Sequence, residues 1–254
     1  MDLSSRERFS NRVADYVRYR PGYPPQLLDW VHGHLGVRTD ARVADIGAGT
    51  GISSRLFLQA GHPVIAVEPN AAMRSAAEQW LGGEAGFSTV DGSAEATGLA
   101  DASVELVSAA QAFHWFDTRA VRAEWARILR PGGLALVFWN SRLLEATPFL
   151  AGYEALLLEY GTDYSAVAER YQDDATMRAW FGAGFVDAAQ FPNVQRMDFN
   201  ALRGRLLSSS YAPAAGHPRH APMLAALREL FDREAVDGHV EFAYQTRAFA
   251  GRLN

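Results

Sequence analysis

The sequence VADIGAGTG, residues 43–51, is the segment of this chain that indicates its fold most clearly. A short apolar run with one aspartate leads into three glycines at alternate positions, and the next residues, 52–57, are typical of a helix. A sharp turn from strand to helix needs glycines because the backbone takes unusual angles and approaches a ligand closely. The free N–H groups at the helix N-terminus favour an anionic or polar ligand group. We therefore expect a nucleotide-like cofactor across this turn, with a plain tight turn as the alternative.

The spacing of the glycines separates the candidate cofactors. A dinucleotide fingerprint reads G-x-G-x-x-G, whereas the third glycine here comes one residue earlier. A phosphate-binding P-loop needs a lysine, and the chain contains none. The pattern resembles the first motif of the class I S-adenosylmethionine-dependent methyltransferases. This resemblance implies that Asp45 lies near the methionine ammonium and that Gly47, Gly49 and Gly51 let the backbone pack on the cofactor.

A second apolar run, residues 61–67, ends at Glu68, about 20 residues after the glycines. A doubly wound fold places at this position a carboxylate that accepts hydrogen bonds from the ribose hydroxyls. Glu68, Pro69 and Met73 match the E-P-x-x-x-M segment of the same family, which implies that Met73 packs against adenine. The alternatives are a surface acid for Glu68 and a core methionine for Met73.

Two later segments follow in the order that the family requires. The sequence VDGSAE, residues 90–95, resembles the family's segment after the third strand, which meets the edge of the adenine. The resemblance therefore adds Ser93, Ala94 and Glu95 to the cofactor site. Ser93 stands where an aspartate is common, so the adenine amino group would meet a hydroxyl or a backbone carbonyl.

The sequence AQAFHWF, residues 110–116, resembles a motif of one small-molecule branch, the type 11 or trans-aconitate methyltransferase-like enzymes. It brings Gln111 into the predicted cofactor site. The sequence LRPGG, residues 129–133, then ends a helix and precedes a fifth apolar strand, as in the same family.

The N-terminal sequence YVRYRPGYP, residues 16–24, resembles the Y-x-x-x-R-P-x-Y-P element of that branch, which lies over the cofactor. By this resemblance Arg20 pairs with the cofactor's methionine carboxylate, a favourable partner for a guanidinium. Tyr16 or Tyr19 would cover the sulfonium. The alternative for Arg20 is a surface arginine beside a proline turn.

We predict an α/β, doubly wound, Rossmann-like fold with a seven-stranded, mostly parallel sheet and an inserted helical lid, because strands and amphipathic helices alternate up to residue 140. Strands six and seven are expected at 185–191 and 239–249, the seventh antiparallel. One domain would span 1–254, with cofactor-covering helices in 1–30 and substrate-covering insertions in 141–180 and 200–235.

Ligands of open α/β sheets bind beyond the carboxyl ends of the strands, which is where the residues after the fourth strand lie. His114 is the candidate catalytic base, because imidazole can take a proton from a hydroxyl or a ring N–H near neutral pH. A structural role of His114 is the alternative. Aromatic rings favour a planar acceptor and a sulfonium, and the predicted substrate contacts are with Phe113, Trp115, Trp139 and Tyr211.

The composition narrows the classes of function. The formal charge of −5 lacks the basic excess typical of nucleic-acid binding, and all 24 basic residues are arginine. There is no cysteine, and His217 and His220 flank a loop without adjacent carboxylates, so we expect no metal site. No apolar run reaches the length of a membrane span, and the first residues are unlike a signal peptide. We expect a cytoplasmic protein, a monomer or homodimer, with a small-molecule partner and neither nucleic acid nor membrane.

The sequence thus predicts methyl transfer from S-adenosylmethionine, with S-adenosylhomocysteine as product, to an oxygen or nitrogen of a small acceptor. The acceptor is expected to be planar and heteroaromatic or to carry a carboxylate. A methyltransferase-like protein that binds the cofactor without catalysis is the alternative, because a fold does not fix a function. A dehydrogenase is the more distant alternative, which the glycine spacing disfavours.

Overall fold

The computed structural model describes residues 19–164 and 173–253. Its seven strands form one sheet in the order β3-β2-β1-β4-β5-β7-β6. Strands β1 to β5 pair in parallel, and β7 runs antiparallel to both β5 and β6. The predicted doubly wound, mostly parallel sheet with an antiparallel seventh strand is therefore confirmed. The strands are β1 Val43–Ile46, β2 Val64–Val67, β3 Phe87–Val90, β4 Val104–Ala110, β5 Leu129–Arg142, β6 Phe185–Met197 and β7 Val240–Gly251.

Eight α-helices connect these strands within the described residues. The first continues into a π-helical turn at Trp30–His34. The helices are α1 Gln26–Asp29, α2 Ile52–Gln59, α3 Ala71–Leu81, α4 Thr118–Ile128, α5 Pro148–Tyr160, α6 Asp174–Phe181, α7 Phe199–Leu207 and α8 His220–Glu234.

The sheet has a hydrophobic core on each face because the side chains of a strand alternate between the two faces. On one face, Phe138 of β5 packs in a cluster with residues of α1 and α2. On the other face, its neighbours Val137 and Trp139 pack in a cluster with Trp125 of α4 and residues of α6. The central strands β1, β2, β4 and β5 are thus largely buried on both sides, as parallel sheets require.

A third hydrophobic cluster, the lid cluster, joins α5, α7 and α8 to the far ends of β6 and β7. It includes Tyr153, Leu206, Leu227 and Phe242, all fully buried. The helices α7 and α8 occupy most of the predicted insertion at 200–235. In the predicted insertion at 141–180, β5 continues to Arg142, α5 and α6 follow, and residues 165–172 lie outside the described part of the chain.

Strands β6 and β7 pair over a longer stretch than predicted. Their ladder runs from Phe185 paired with Gly251 to Met197 paired with Val240. The alternation of half-buried and exposed residues continues past Phe191 because one face of this extension is covered: Asn193 and Gln195 donate to the carbonyls of Gly22 and Tyr19, and Met197 packs in the lid cluster. Strand β5 is also longer than its predicted apolar segment. It continues at both ends beyond residues 133–140, which are its continuous buried stretch.

A buried histidine pair fixes the first helical segment to the turn before β2. The carbonyl of Ala41 accepts from Nδ1 of His62 at 2.8 Å, so Nε2 of His62 accepts from Nε2 of His32, also at 2.8 Å. Burial, with the nearby His32 as a further cause, lowers the pKa of His62 below its ordinary 6.5. The folded state therefore holds this imidazole neutral at a pH at which the unfolded chain binds a proton.

This difference predicts a loss of stability on acidification. As the pH falls through 6.5, the unfolded chain takes up a proton that folded His62 resists, so the free energy of unfolding should decrease. Urea unfolding at pH 7.5 and at pH 5.5 should show a smaller decrease for His62→Gln than for the unchanged protein. His217→Gln, at an exposed histidine, is the control and should keep the full decrease. Equal decreases in all three proteins would contradict the role of His62.

Candidate functional site

The turn between β1 and α2 has the backbone that the glycine spacing predicts. Gly47, Gly49 and Gly51 have φ angles of +66°, +58° and +89°. A Cβ atom on Gly47 would lie 2.8 Å from Cβ of Ala112, and one on Gly51 would lie 2.7 Å from Cδ1 of Leu81. Gly47 and Gly49 line a cavity at the carboxyl ends of the strands, whereas Gly51 packs below the turn against α3.

Asp45 has a different role from the predicted one. Its buried carboxylate accepts hydrogen bonds of 2.7 Å from the hydroxyls of Ser53, Ser54 and Ser108. Burial raises the pKa of Asp45 in spite of these donors. The carboxylate does not line the cavity, so the predicted position beside the methionine ammonium is not supported. Asp45 instead joins β1 to the first turn of α2 and to β4, which fixes the glycine turn between them.

Glu68 lies at the end of β2 with both carboxylate oxygens oriented by the backbone. Oε2 accepts from N–H of Gly49 at 2.9 Å, and Oε1 accepts from N–H of Asn70 at 2.8 Å. The side chain is buried and lines the cavity together with Pro69 and Met73. A carboxylate accepts several hydrogen bonds, so Glu68 is a candidate acceptor for the hydroxyls of a ligand.

The segment after β3 forms the neighbouring part of the wall. Ser93, Ala94 and Glu95 all line the cavity. The Ser93 hydroxyl accepts from N–H of Ala96 at 3.2 Å, and Glu95 accepts from N–H of Asp117 at 3.1 Å. These contacts hold the segment in a fixed conformation beside Glu68.

The end of β4 brings the predicted cofactor residue Gln111 and the predicted base to the same cavity. Gln111 has a φ of +56°, which is uncommon for a residue other than glycine and costs of order 1–3 kcal/mol. Its side-chain oxygen accepts from N–H of Asn140 at 2.7 Å. His114 and Trp115 follow in a single 3-10 turn with ring centroids 4.8 Å apart, and both line the cavity.

Two predicted substrate residues lie elsewhere. Phe113 points into the core, where its ring centroid is 4.8 Å from that of Trp180. Trp139 stacks on Phe249 at 5.2 Å, on the opposite side of β5 from Asn140, because side chains alternate along a strand. Both predictions of a substrate contact are therefore corrected. The other two, Trp115 and Tyr211, line the cavity.

The segment Arg20–Tyr23, here called the N-terminal strap, closes one side of the cavity. The carbonyl of Gly22 accepts from the side-chain amides of Asn140 at 3.1 Å and Asn193 at 2.9 Å. Arg20 lines the cavity and donates to the carbonyl of Ser208 at 3.2 Å. The predicted cofactor residue Tyr16 lies outside the described residues.

Sequence reasoning missed the polar end of the cavity beyond β5. Arg142, Tyr164, Arg205 and Tyr244 line this end. Arg142 lies at the carboxyl end of β5, a position that could have been inferred from the strand pattern. The sequence around Arg205 and Tyr244 did not indicate that they line the cavity, because α7 and β7 bring them there only through tertiary packing.

The cavity has a volume of about 630 Å³, within the usual range of small-molecule sites. Thr50, in the glycine turn, lines it with a buried hydroxyl that has no hydrogen-bond partner among the described residues. The Thr50 hydroxyl without a partner, the Glu68 carboxylate and the Arg20 guanidinium lie within one cavity and fit a ligand with amino-acid and ribose groups, as S-adenosylmethionine has.

Residues 19–164 and 173–253 contain no group of three or more histidine, aspartate or glutamate side chains placed to hold a metal ion. Within the same residues, every helix is too short or too polar to traverse a lipid bilayer.

Residues 44–137 match the family model described as a methyltransferase domain. An uncharacterized methyltransferase of Mycobacterium tuberculosis is 39% identical over 53% of this chain and 52% of its own length. The chain thus spans about half the length of several curated relatives that it matches. An uncharacterized methyltransferase-like protein of Schizosaccharomyces pombe is 29% identical over 95% of this chain and 94% of its own length.

Solved structures show the same fold. A structure assigned as a type II methyltransferase from Anaeromyxobacter dehalogenans has a TM-score of 0.69 and 24% identity, with coverage of 92% of this chain and 98% of that chain. A phosphoethanolamine N-methyltransferase of Haemonchus contortus, in complex with phosphomonomethylethanolamine and S-adenosylhomocysteine, has a TM-score of 0.58 and 17% identity, with coverage of 96% and 57%. The chain is thus similar to methyltransferases in sequence over residues 44–137 and in fold over nearly its whole length, and the order of its motifs and strands agrees with this similarity.

Proposed function

We propose that this protein transfers a methyl group from S-adenosylmethionine to an oxygen or nitrogen of a small molecule. The observation that carries the proposal is one continuous cavity lined by the glycine turn and Glu68 at one end and by His114 and Trp115 beside it. A cofactor held at the first end would present its reactive group toward the second. The structure of the Haemonchus contortus enzyme with S-adenosylhomocysteine supports this choice of cofactor.

The cofactor roles follow from the chemistry of the wall. Glu68 accepts hydrogen bonds from the ribose hydroxyls, and Met73 packs against the adenine. Ser93, Ala94 and Glu95 contact the adenine edge. Arg20 pairs with the methionine carboxylate, and the Thr50 hydroxyl and the backbone of the glycine turn bind the same end of the ligand.

The acceptor binds beyond the end of β4. When bound, S-adenosylmethionine supplies an electrophilic methyl group on sulfur, so the protein has to align the acceptor and exclude water. His114 takes the proton that the acceptor's hydroxyl or ring N–H loses. Trp115 and Tyr211 hold the acceptor as aromatic walls, while Gln111 fixes the end of β4 through its bond to Asn140.

Calorimetry with S-adenosylhomocysteine tests the proposal first, with NAD as the control ligand. The expected result is saturable binding of S-adenosylhomocysteine and no binding of NAD. A screen of small hydroxylated, heteroaromatic and carboxylate-bearing acceptors with methyl-labelled cofactor then tests turnover. Binding without turnover of any acceptor would favour the alternative, a cofactor-binding protein without catalysis. Absence of S-adenosylhomocysteine binding would contradict both.

The covering role of the N-terminal segment makes a separate prediction. Because the strap lines the cavity and its Gly22 carbonyl is fixed by Asn140 and Asn193, we expect a bound cofactor to stabilise the strap. Backbone amides of the strap, residues 20–23, should exchange hydrogen more slowly with S-adenosylhomocysteine than without it. Amides of the distant helix α8 are the internal control and should not change. Equal exchange of the strap in both states would contradict a covering role.

A further inference from the structure

The end of the cavity beyond β5, here called the arginine end, carries more positive charge than its surroundings neutralise. Its lining residues Arg142, Tyr164, Arg205, Tyr211 and Tyr244 include two guanidinium groups. The acidic residues that line the described cavity, Glu68 and Glu95, lie at the cofactor end. A charge imbalance inside a partly dry cavity favours a ligand of the opposite sign.

Arg205 is the clearest part of this imbalance. Its side chain is buried, donates from Nε to the Tyr244 hydroxyl at 3.2 Å and from Nη1 to the Ser209 hydroxyl at 3.0 Å, and is 5.5 Å from the Phe242 ring centroid. No aspartate or glutamate of residues 19–164 and 173–253 forms an ion pair with it. A buried cation that has only neutral partners is costly unless an anion joins it.

Arg142 adds a second guanidinium with a spare donor. Its Nη2 donates to Glu154 and to the Tyr164 hydroxyl. Its Nη1 is buried and has no hydrogen-bond partner within the described part of the chain. Arg20 also lies near this end, but the proposed function assigns it to the cofactor's carboxylate. Because Glu154 offsets one of the other two cations, the arginine end keeps a net charge of about +1 for an acceptor.

Tyr211 responds to the same positive field. Burial raises the pKa of Tyr211, but the guanidinium groups of Arg205, Arg20 and Arg142, together with a hydrogen bond to the Ser209 side chain, outweigh it, so that the pKa lies below its usual value. Tyr211 lines the cavity, so this positive field extends to the place where an acceptor would lie.

We propose that the methyl acceptor carries a carboxylate, and that Arg205 and Arg142 bind this group. The inference rests on the proposed function and narrows its substrate class. A carboxylate has one negative charge, which matches the single uncompensated positive charge better than a phosphate dianion does. The sheet order places β4 between the cofactor strands and β5, so His114 lies between Glu68 and the arginine end. An acceptor held by its carboxylate thus extends its oxygen or nitrogen toward His114.

Calorimetry on the protein saturated with S-adenosylhomocysteine tests the inference. The probes are benzoate, 4-hydroxybenzoate and butyrate, each compared with its neutral carboxamide, and phenyl phosphate. At least one carboxylate should bind about 10- to 100-fold more tightly than its amide and more tightly than phenyl phosphate. In Arg205→Met this preference should disappear, while the affinity for S-adenosylhomocysteine stays unchanged. Arg203→Met, an exposed arginine on the same helix, is the matched control and should keep the preference.

Arg205→Lys keeps the charge and guards against misfolding of the methionine variant, and it should retain part of the preference. The inference is overturned if no carboxylate binds, if acids and amides bind equally, if phenyl phosphate binds best, or if Arg205→Met and Arg205→Lys both keep the full preference. The measurement of cofactor binding distinguishes a failure of the proposed function from a failure of this inference. Failure to bind S-adenosylhomocysteine contradicts the proposed function, whereas cofactor binding without a preference for carboxylates contradicts only this inference.

Discussion

Replacement of His114 by alanine should lower kcat by about 10²–10⁴-fold, the usual contribution of a general base. His114 lines the cavity beside Trp115 at the end of β4, where the acceptor would lie. Affinity for S-adenosylhomocysteine should stay the same, because the proposed cofactor contacts lie on the N-terminal strap and in the segments that follow β1, β2 and β3. Steady-state turnover with an acceptor from the screen and calorimetry with the product measure the two quantities separately.

The pH profile adds a readout that a structural role would not change. An imidazole base should give a rate that falls below its own pKa, and this dependence should be absent from the residual activity of His114→Ala. His217→Ala, at an exposed histidine, is the control and should match the unchanged protein. Near-normal turnover of His114→Ala would contradict the role of His114 as a base. His114 would then only line the cavity, and the protein would act by aligning the acceptor with the cofactor's methyl group.

Replacement of Glu68 by alanine should weaken binding of S-adenosylhomocysteine by about 1–3 kcal/mol, or roughly 5- to 150-fold in Kd. The variant removes the proposed acceptor of the ribose hydroxyls and also releases the N–H groups of Gly49 and Asn70. Calorimetry gives the affinity. Glu84→Ala, at an exposed glutamate just after α3, is the control for a general loss of negative charge.

A comparison with modified ligands isolates the ribose contact from the change in the turn. The 2′-deoxy and 3′-deoxy analogues of S-adenosylhomocysteine should bind more weakly than the parent to the unchanged protein. At least one of these differences should be much smaller in Glu68→Ala, because the partner of that hydroxyl is absent. An unchanged affinity of Glu68→Ala for the parent ligand would contradict the assignment of Glu68.

The fold could be predicted because the sequence patterns that indicate it are short segments, and they follow one another in a fixed order along the chain. Each short segment that ends a parallel strand carries its own pattern, such as the glycine turn and Glu68, and all such segments meet at one edge of the sheet. The cofactor end of the candidate cavity therefore largely matches the sequence prediction. Asp45 and Gly51 are exceptions among the described residues, because three serine hydroxyls from two elements hold the Asp45 carboxylate below the turn and Gly51 packs against α3.

The acceptor end could be predicted less well, for two physical reasons. Successive side chains of a strand point to opposite faces, so a shift of one residue exchanges Asn140 and Trp139 between the cavity and the core. The sequence of a strand that is apolar on both faces does not show which of the two faces the cavity. The second reason is distance along the chain. Arg205 and Tyr244 become neighbours only through tertiary packing, 39 residues apart in sequence.

The strand order also has a consequence for synthesis of the chain. Strand β7 is the last of the described strands to leave the ribosome, yet it lies between β5 and β6 in the sheet. Until it arrives, β5 has an open edge, β6 has no place in the sheet, and Tyr244 is missing from the arginine end. Exposed strand edges invite pairing with other chains. A chain that stops before β7 should therefore contain every motif of the cofactor end and still aggregate, so a motif-bearing fragment is a poor starting point for isolating the activity.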